Sequence, residues 1–401
     1  MVSRERLFQL ATLVVIGAAL LALTTATPEY PEARLVGRGV QDFAELSERF
    51  VALSENKGAV YAFEVLRRAK LPLNTDLHLL GHAVGDELYK QKGLGGITYC
   101  TQDFRNACSH AIVIGALNEF GPDDPSIVGI LRNACMRAPG GVGAYTMCFH
   151  GLGHGVFAYF GYSLLETVDF CKKTGTRERN EREYIECIGG AVMELMGGGG
   201  HDREKWLAAR EQYLPADKPL APCMSGVIPD EAKEICLTYI TPRLWELSGI
   251  DLGTPDAMLF PAAFDFCDVI PREQTSLREA CFGGFGKDFV AIAGHRDIRH
   301  VDRFTDEEYV RAIEWCALAR SPEGREACVA EAVASVFWGG ENDPEASFRF
   351  CALVSDKLSR SACYERLSAA IGSYIHDEGT RNALCERLPE EYQGACASKD
   401  A

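Results

Sequence analysis

Five of the nine histidines of this 401-residue chain lie in its first half, at spacings that suit a metal site. His78 and His82 are four residues apart, as are His150 and His154, and His110 lies between the two pairs. Residues at i and i+4 of an α-helix project from one face, as two ligands of one ion must. Imidazole binds zinc, copper, iron and nickel. The spacing therefore predicts a transition-metal site at these residues, with zinc, copper or iron as the ion.

Sixteen cysteines follow one another in pairs with similar gaps, which indicates an internal repeat. The pairs are Cys100 and Cys108, Cys135 and Cys148, Cys171 and Cys187, Cys223 and Cys236, Cys267 and Cys281, Cys316 and Cys328, Cys351 and Cys363, and Cys385 and Cys396. When the units are aligned on the second cysteine of each pair, His110 and His150 occupy the same position. His78 occupies it in an earlier unit, where Asp76 replaces the cysteine. The histidines therefore share one register in three consecutive units, and the later units carry other residues there.

Further ligands are available near the first pair. Asp86 lies one turn beyond His82 and is the predicted carboxylate ligand, while Glu87 is a less favourably placed alternative. His201 follows a run of four glycines and is expected in a loop. In a straight stack of helices, equivalent positions lie about 8–10 Å apart, too far for one ion with metal–nitrogen bonds near 2 Å. A shared site therefore requires the units to curve or to pack closely.

The segments around the cysteines have the periodicity of helices. Apolar residues recur at helical spacing in E-E-Y-V-R-A-I-E-W-C and again, after a short polar turn, in R-E-A-C-V-A-E-A-V. We expect each unit to be a helix A that ends near the first cysteine, a short loop, and a helix B that starts at the second cysteine. Strand signals are nearly absent. The predicted fold is all-α, with tandem αα-hairpin repeats in an open solenoid or a closed α/α toroid, and a disulfide within most hairpins.

The N-terminus has the layout of an export signal. Two arginines precede an apolar run from Leu7 to Leu23, and small residues and Pro28 follow it. Residues 1–27 are predicted to be a signal peptide or an N-terminal membrane anchor, and residues 28–41 a linker. Residues 42–401 are predicted to form one helical-repeat domain, in which 42–165 carry the histidines and 166–401 are structural disulfide repeats. An even number of cysteines behind an export signal predicts disulfides and an extracytoplasmic protein, whether secreted, periplasmic or anchored to the outer face of the membrane.

Charge and motifs exclude several classes of function. A formal net charge of −16 argues against nucleic-acid binding, and a membrane partner is expected only through the N-terminal segment if it is not cleaved. The sequence contains no C-x-x-C, which excludes the usual zinc-ribbon spacing and the C-x-x-C-H haem attachment. H-E-x-x-H, G-x-S-x-G and a complete phosphate-binding loop are also absent.

The leading prediction is an exported transition-metal-binding repeat protein that acts as a metal-dependent hydrolase or oxidoreductase. The first alternative is a metal-free extracytoplasmic scaffold that binds a protein or a cell-envelope polymer, as solenoids often do. The second alternative is a haem protein with two axial histidines.

Overall fold

Segments with helical periodicity form nearly all of the secondary structure. A computed structural model of the chain describes residues 30–197, 202–338 and 342–397. Within these ranges it contains 20 α-helices and no strand, apart from one isolated bridge between Thr176 and Arg179. The α-helices are α1 Phe43–Lys57, α2 Ala59–Arg68, α3 Leu77–Lys92, α4 Ala107–Phe120, α5 Ile127–Cys135, α6 Gly141–Tyr159, α7 Leu164–Cys171, α8 Glu181–Gly197, α9 Arg203–Tyr213, α10 Ala221–Met224, α11 Lys233–Tyr239, α12 Thr241–Leu247, α13 Phe260–Asp268, α14 Thr275–Ala293, α15 Asp306–Cys316, α16 Pro322–Phe337, α17 Pro344–Leu353, α18 Lys357–Tyr374, α19 Glu378–Cys385 and α20 Glu390–Ala397. Short 3₁₀ helices span Pro31–Arg34, Gly93–Tyr99, Asp230–Ala232, Ala257–Leu259 and Val301–Arg303. The prediction of an all-α chain is confirmed.

Eight disulfides join the cysteines to their nearest neighbours, as the paired spacing predicts. They join Cys100 to Cys108, Cys135 to Cys148, Cys171 to Cys187, Cys223 to Cys236, Cys267 to Cys281, Cys316 to Cys328, Cys351 to Cys363, and Cys385 to Cys396. In every pair after the first, the first cysteine lies at or near the end of a helix. Helix α5, for example, ends at Cys135, and helix α7 ends at Cys171.

The second cysteines do not mark the starts of their helices in most units, so that prediction is wrong. Helix α4 does begin next to Cys108, at Ala107. In the other units the second cysteine lies inside its helix, as it does at Cys148, Cys187, Cys236, Cys281, Cys328, Cys363 and Cys396. The capping residues Ser321 and Asp356 start α16 and α18 well before the cysteine. The disulfide therefore fastens the end of one helix to a point inside the next.

Helix α3 and the helices that carry the second cysteines pack on one another in chain order. Helix α3 contacts α4, α4 contacts α6, and the series continues through α8, α11, α14, α16, α18 and α20. The shorter helices α5, α7, α13, α15, α17 and α19 each pack against the helix that follows them. The three histidine-bearing helices, α3, α4 and α6, are therefore neighbours in this packing order.

Glycines allow successive helices to approach as closely as backbone contact. A Cβ atom on Gly153 of α6 would overlap the carbonyl oxygen of Cys187 in α8, and one on Gly190 of α8 would overlap the carbonyl oxygen of His150 in α6. The same contact recurs between Gly286 of α14 and the carbonyl of Cys328 in α16. Only a residue without a side chain fits where two helix backbones touch.

The loop that follows α14 returns to the N-terminal helices. Asn74 donates its backbone N–H to the carbonyl of His295 at 3.0 Å, and Arg296 forms an ion pair with Asp76 at 2.6 Å. Arg299 donates to the backbone carbonyls at the end of α2. Asp76 is the N-cap of α3, so this contact fixes the start of the helix that carries the first histidine pair. We call these contacts of residues 295–299 the return-loop contacts.

The buried apolar side chains form two clusters, one largely within residues 33–156 and one largely within residues 157–396. Ala33 is buried in the first cluster, and the backbone of residues 36–38 accepts hydrogen bonds from Arg49. No helix in the described ranges is long and apolar enough to cross a membrane. The predicted export signal, residues 1–27, lies outside the described residues.

Replacing Gly190 with alanine should destabilise the protein by about 1–3 kcal/mol, because a methyl group there forces α6 and α8 apart. Gly129→Ala is the matched control, since Gly129 lies within α5 and a Cβ atom there would meet no atom of the described residues within 4 Å. It should stabilise the protein by about 0.8–1 kcal/mol through helix propensity. Thermal unfolding measures both changes. Equal effects of the two substitutions would contradict backbone contact at Gly190.

Candidate metal centre

Histidines from α3, α4 and α6 meet at one place. The ring of His110 on α4 lies at the centre, with its centroid 5.4 Å from that of His78 and 5.5 Å from that of His82 on α3. The centroids of His150 and His154 on α6 lie 5.5 and 5.7 Å from it. All five predicted histidines therefore converge, because the three helices that carry them are packed in succession.

The first pair has the geometry of two ligands of one ion. The Nδ1 atom of His78 lies 2.7 Å from the carbonyl oxygen of Phe104. A carbonyl can only accept, so Nδ1 carries the proton and Nε2 has the free lone pair. This Nε2 lies 3.2 Å from Nε2 of His82. Two nitrogens bound tetrahedrally to one ion, with bonds of 2.0–2.1 Å, lie about 3.3 Å apart.

His110 completes a group of three. One ring nitrogen each from His78, His82 and His110 can be chosen so that all three lie within 4.8 Å of one another. His110 has no exposed surface, and neither of its ring nitrogens has a hydrogen-bond partner within the described part of the chain. A buried polar group without a partner costs about 1–3 kcal/mol and requires an explanation. Coordination of an ion would satisfy this imidazole.

Helix α8 supplies partners to the second pair. Nδ1 of His154 lies 3.0 Å from a carboxylate oxygen of Glu194, and Nδ1 of His150 lies 3.2 Å from one of Glu186. Nε2 of His150 lies 3.3 Å from the sulfur of Met193, whereas Nε2 of His154 is buried and has no partner among the described residues. A carboxylate that holds one nitrogen of a histidine and leaves the other free is the usual arrangement around metal-binding histidines.

Burial keeps several of these groups neutral. It lowers the pKa of His78 to about 4, with repulsion from His154 adding to the effect. It also lowers the pKa values of His110 and His150 well below the usual value, and neighbouring histidines lower them further. Burial raises the pKa of Glu186 to about 7. Neutral imidazole is the form that binds metal.

The histidine cluster opens onto a cavity of about 1210 Å³. His78, His82 and His154 line one part of its wall, and Arg105, Lys287 and other polar residues line another. Apolar side chains line the remainder, among them Ile114, Trp206, Trp245, Ile250, Leu252 and Ile292. Acidic side chains also line the cavity, among them Glu48, Glu55, Glu246 and Asp288. Convergent polar groups beside apolar walls are typical of small-molecule sites, and this cavity is larger than most.

The other candidate ligands lie around this group. Asp86 lines the cavity on α3 but does not belong to the three-histidine group. Glu87 is buried and forms an ion pair with Lys90. His201 lies outside the described residues.

Sequence reasoning missed Glu186, Met193 and Glu194 on α8. The signals for the two glutamates are weak, since Glu186 directly precedes a cysteine and Glu194 follows it by roughly two turns. Nothing in the sequence connected α8 to α6, because that connection depends on the close contact at Gly153 and Gly190. The carbonyl of Phe104, which orients His78, carries no sequence signal at all.

Comparison of the chain with protein-family models, with curated proteins and with solved structures found no match. The site must therefore be interpreted from its own geometry.

In metal-free protein, His110→Leu should stabilise the fold by about 1–3 kcal/mol. The substitution removes an unpartnered buried imidazole and leaves no other group without its hydrogen bond. Unfolding is measured in the presence of a chelator. The control is His376→Leu, since His376 is exposed and its replacement should change stability by less than about 0.5 kcal/mol. Destabilisation by His110→Leu would show that His110 has a structural role in the absence of metal.

Proposed function

We propose that this chain is an exported metalloprotein that binds one transition-metal ion through His78, His82 and His110. The observation that carries the proposal is the buried imidazole of His110, which has no partner among the described residues and adjoins two histidines whose Nε2 atoms are 3.2 Å apart. Three protein ligands are the number that catalytic zinc sites use. In a metal-free scaffold, the buried imidazole of His110 would lie among the other four histidines without any hydrogen-bond partner from the described residues.

His154 is the proposed fourth ligand. Its ring centroid lies 5.8 Å from that of His82 and 5.7 Å from that of His110, and its Nε2 is buried without a partner within the described ranges. Glu194 holds its other nitrogen, which fixes the orientation of the ring. His150 is held on both sides, by Glu186 and Met193, and is assigned a supporting position beside the ion.

The proposed ion faces the cavity, so a ligand in the cavity can reach it. Water can reach an ion held by His78, His82 and His110 when His154 is displaced or when the ion becomes five-coordinate. The ion would then supply Lewis acidity and an activated water, or a redox couple. The proposed activity is therefore a metal-dependent hydrolysis or oxidation of an organic molecule. The identity of the ion helps to separate the two, because zinc has no redox chemistry of its own, whereas iron and copper can change oxidation state.

The scaffold in this proposal is a tandem array of helix hairpins that spans residues 42–401. Support comes from the chain-order packing of α3 through α20 and from one disulfide in each unit after the first. Eight disulfides point to an oxidising, extracytoplasmic environment. We propose that residues 1–27 direct the chain there.

Protein purified without a histidine tag should contain one transition-metal ion per chain. A His78→Ala/His82→Ala variant should lose the ion, because two of its ligands are removed. Glu194→Gln should bind the ion about 10–100-fold more weakly, as expected for a group that orients a ligand. Elemental analysis and competition with a chelator measure these changes.

The control is a His300→Ala/His376→Ala variant, in which both histidines are exposed and outside the cluster. It should retain full metal content. Protein that contains no ion after purification, and takes up none when titrated with zinc, copper or ferrous iron, would contradict the proposal. A haem absorption band in the purified protein would contradict it as well.

A further inference from the structure

Arg105 places a positive charge at the cavity, where Asp288 and Asp76 attract it without forming an ion pair. Its guanidinium donates one long hydrogen bond, 3.4 Å from Nη2 to Oγ of Ser335, and lies 5.3 Å from the centre of the Trp338 ring. No ion pair of Arg105 occurs within the described ranges. Burial lowers the pKa of Arg105. A guanidinium has five donors in a fixed fork, and most of them are left available here.

The backbone that presents Arg105 is strained. Phe104, Arg105 and Asn106 have φ angles of 60°, 56° and 63°, which is the left-handed region that residues other than glycine rarely adopt. Each such residue costs about 1–2 kcal/mol. Strain of this kind persists where it serves a function, and three consecutive residues are unusual. The same turn directs the carbonyl of Phe104 toward His78 and the side chain of Arg105 toward the cavity.

Lys287 is a second cation on the wall of the cavity. It is 9% exposed, forms an ion pair with Asp288 at 2.6 Å, and lies 4.9 Å from the centre of the Tyr239 ring. Burial lowers the pKa of Lys287, and repulsion from Arg105 adds to this effect. The two cations are therefore close enough to interact, and Asp288 is the one carboxylate paired with either of them among the described residues.

We propose that Arg105 and Lys287 bind the anionic head of an amphipathic organic molecule, a carboxylate or a phosphate. The fork of an arginine matches both groups in a bidentate arrangement. The apolar part of the molecule lies against Trp245, Ile250 and Leu252 in the same cavity. The molecule's position beside the histidines makes it the candidate substrate, and this role rests on the proposed metal centre. Binding of the anion does not require the ion.

The experiment is calorimetric titration of metal-free protein with octanoate, octyl phosphate and octanol. The wild-type chain should bind at least one of the two anions at least ~30-fold more tightly than octanol, because truncating one partner of a buried charge pair costs about that much. Arg105→Gln should lose this preference while its affinity for octanol is unchanged. Arg34→Gln, at an exposed position away from the cavity, is the control and should bind as the wild type does.

The comparison of octanoate with octyl phosphate identifies the head group. Equal affinity of the wild type for octanol and both anions overturns the proposal, and this comparison does not depend on whether Arg105→Gln folds. Unchanged anion binding by a folded Arg105→Gln variant also overturns it. The titration is done in chelator, so the anion affinity is measured whether or not the chain binds a metal ion. Failure to bind the anions would likewise leave the measured metal content unchanged.

Discussion

The close approach of successive helices is the constraint on which the rest of the structure depends. A Cβ atom on Gly151 of α6 would lie 2.5 Å from Cα of His110, and one on Gly85 of α3 would lie 2.6 Å from Cβ of Ala111 in α4. The axes of packed helices usually lie about 8–10 Å apart, at a distance set by the side chains at the contact. Glycine at these contacts brings α3, α4 and α6 close enough for their histidine rings to touch. In every unit after the first, a disulfide joins the end of one helix to the next helix.

Much of the fold could be predicted from the sequence. The paired cysteines predicted the eight disulfides, and the helical periodicity around Cys316 and Cys328 predicted an all-α chain. The starts of the second helices could not be placed correctly, because the capping residues Ser321 and Asp356 lie well before the cysteines that marked the units. Local hydrogen bonds at a helix start decide this boundary, and the cysteine spacing contains no information about them.

The site was predictable only in part, for a similar reason. The shared register of the five histidines predicted that they converge, and they do. Glu186 and Glu194 were missed because their role depends on which helix packs against α6. Asp76 stands where a cysteine was expected, and it pairs instead with Arg296, more than two hundred residues away. Such long-range return-loop contacts have no signature in a single sequence.

Histidines of α3 and α4, together with His154 of α6, are proposed to bind one ion. X-ray absorption spectroscopy of the purified, metal-loaded protein tests this proposal most directly, because the fine structure reports the ligands of the ion itself. Three or four imidazole nitrogens at about 2.0–2.1 Å are expected if the ion is zinc, and His110→Leu should lose one of them. A first shell made only of oxygen ligands, or one that His110→Leu does not change, would contradict it.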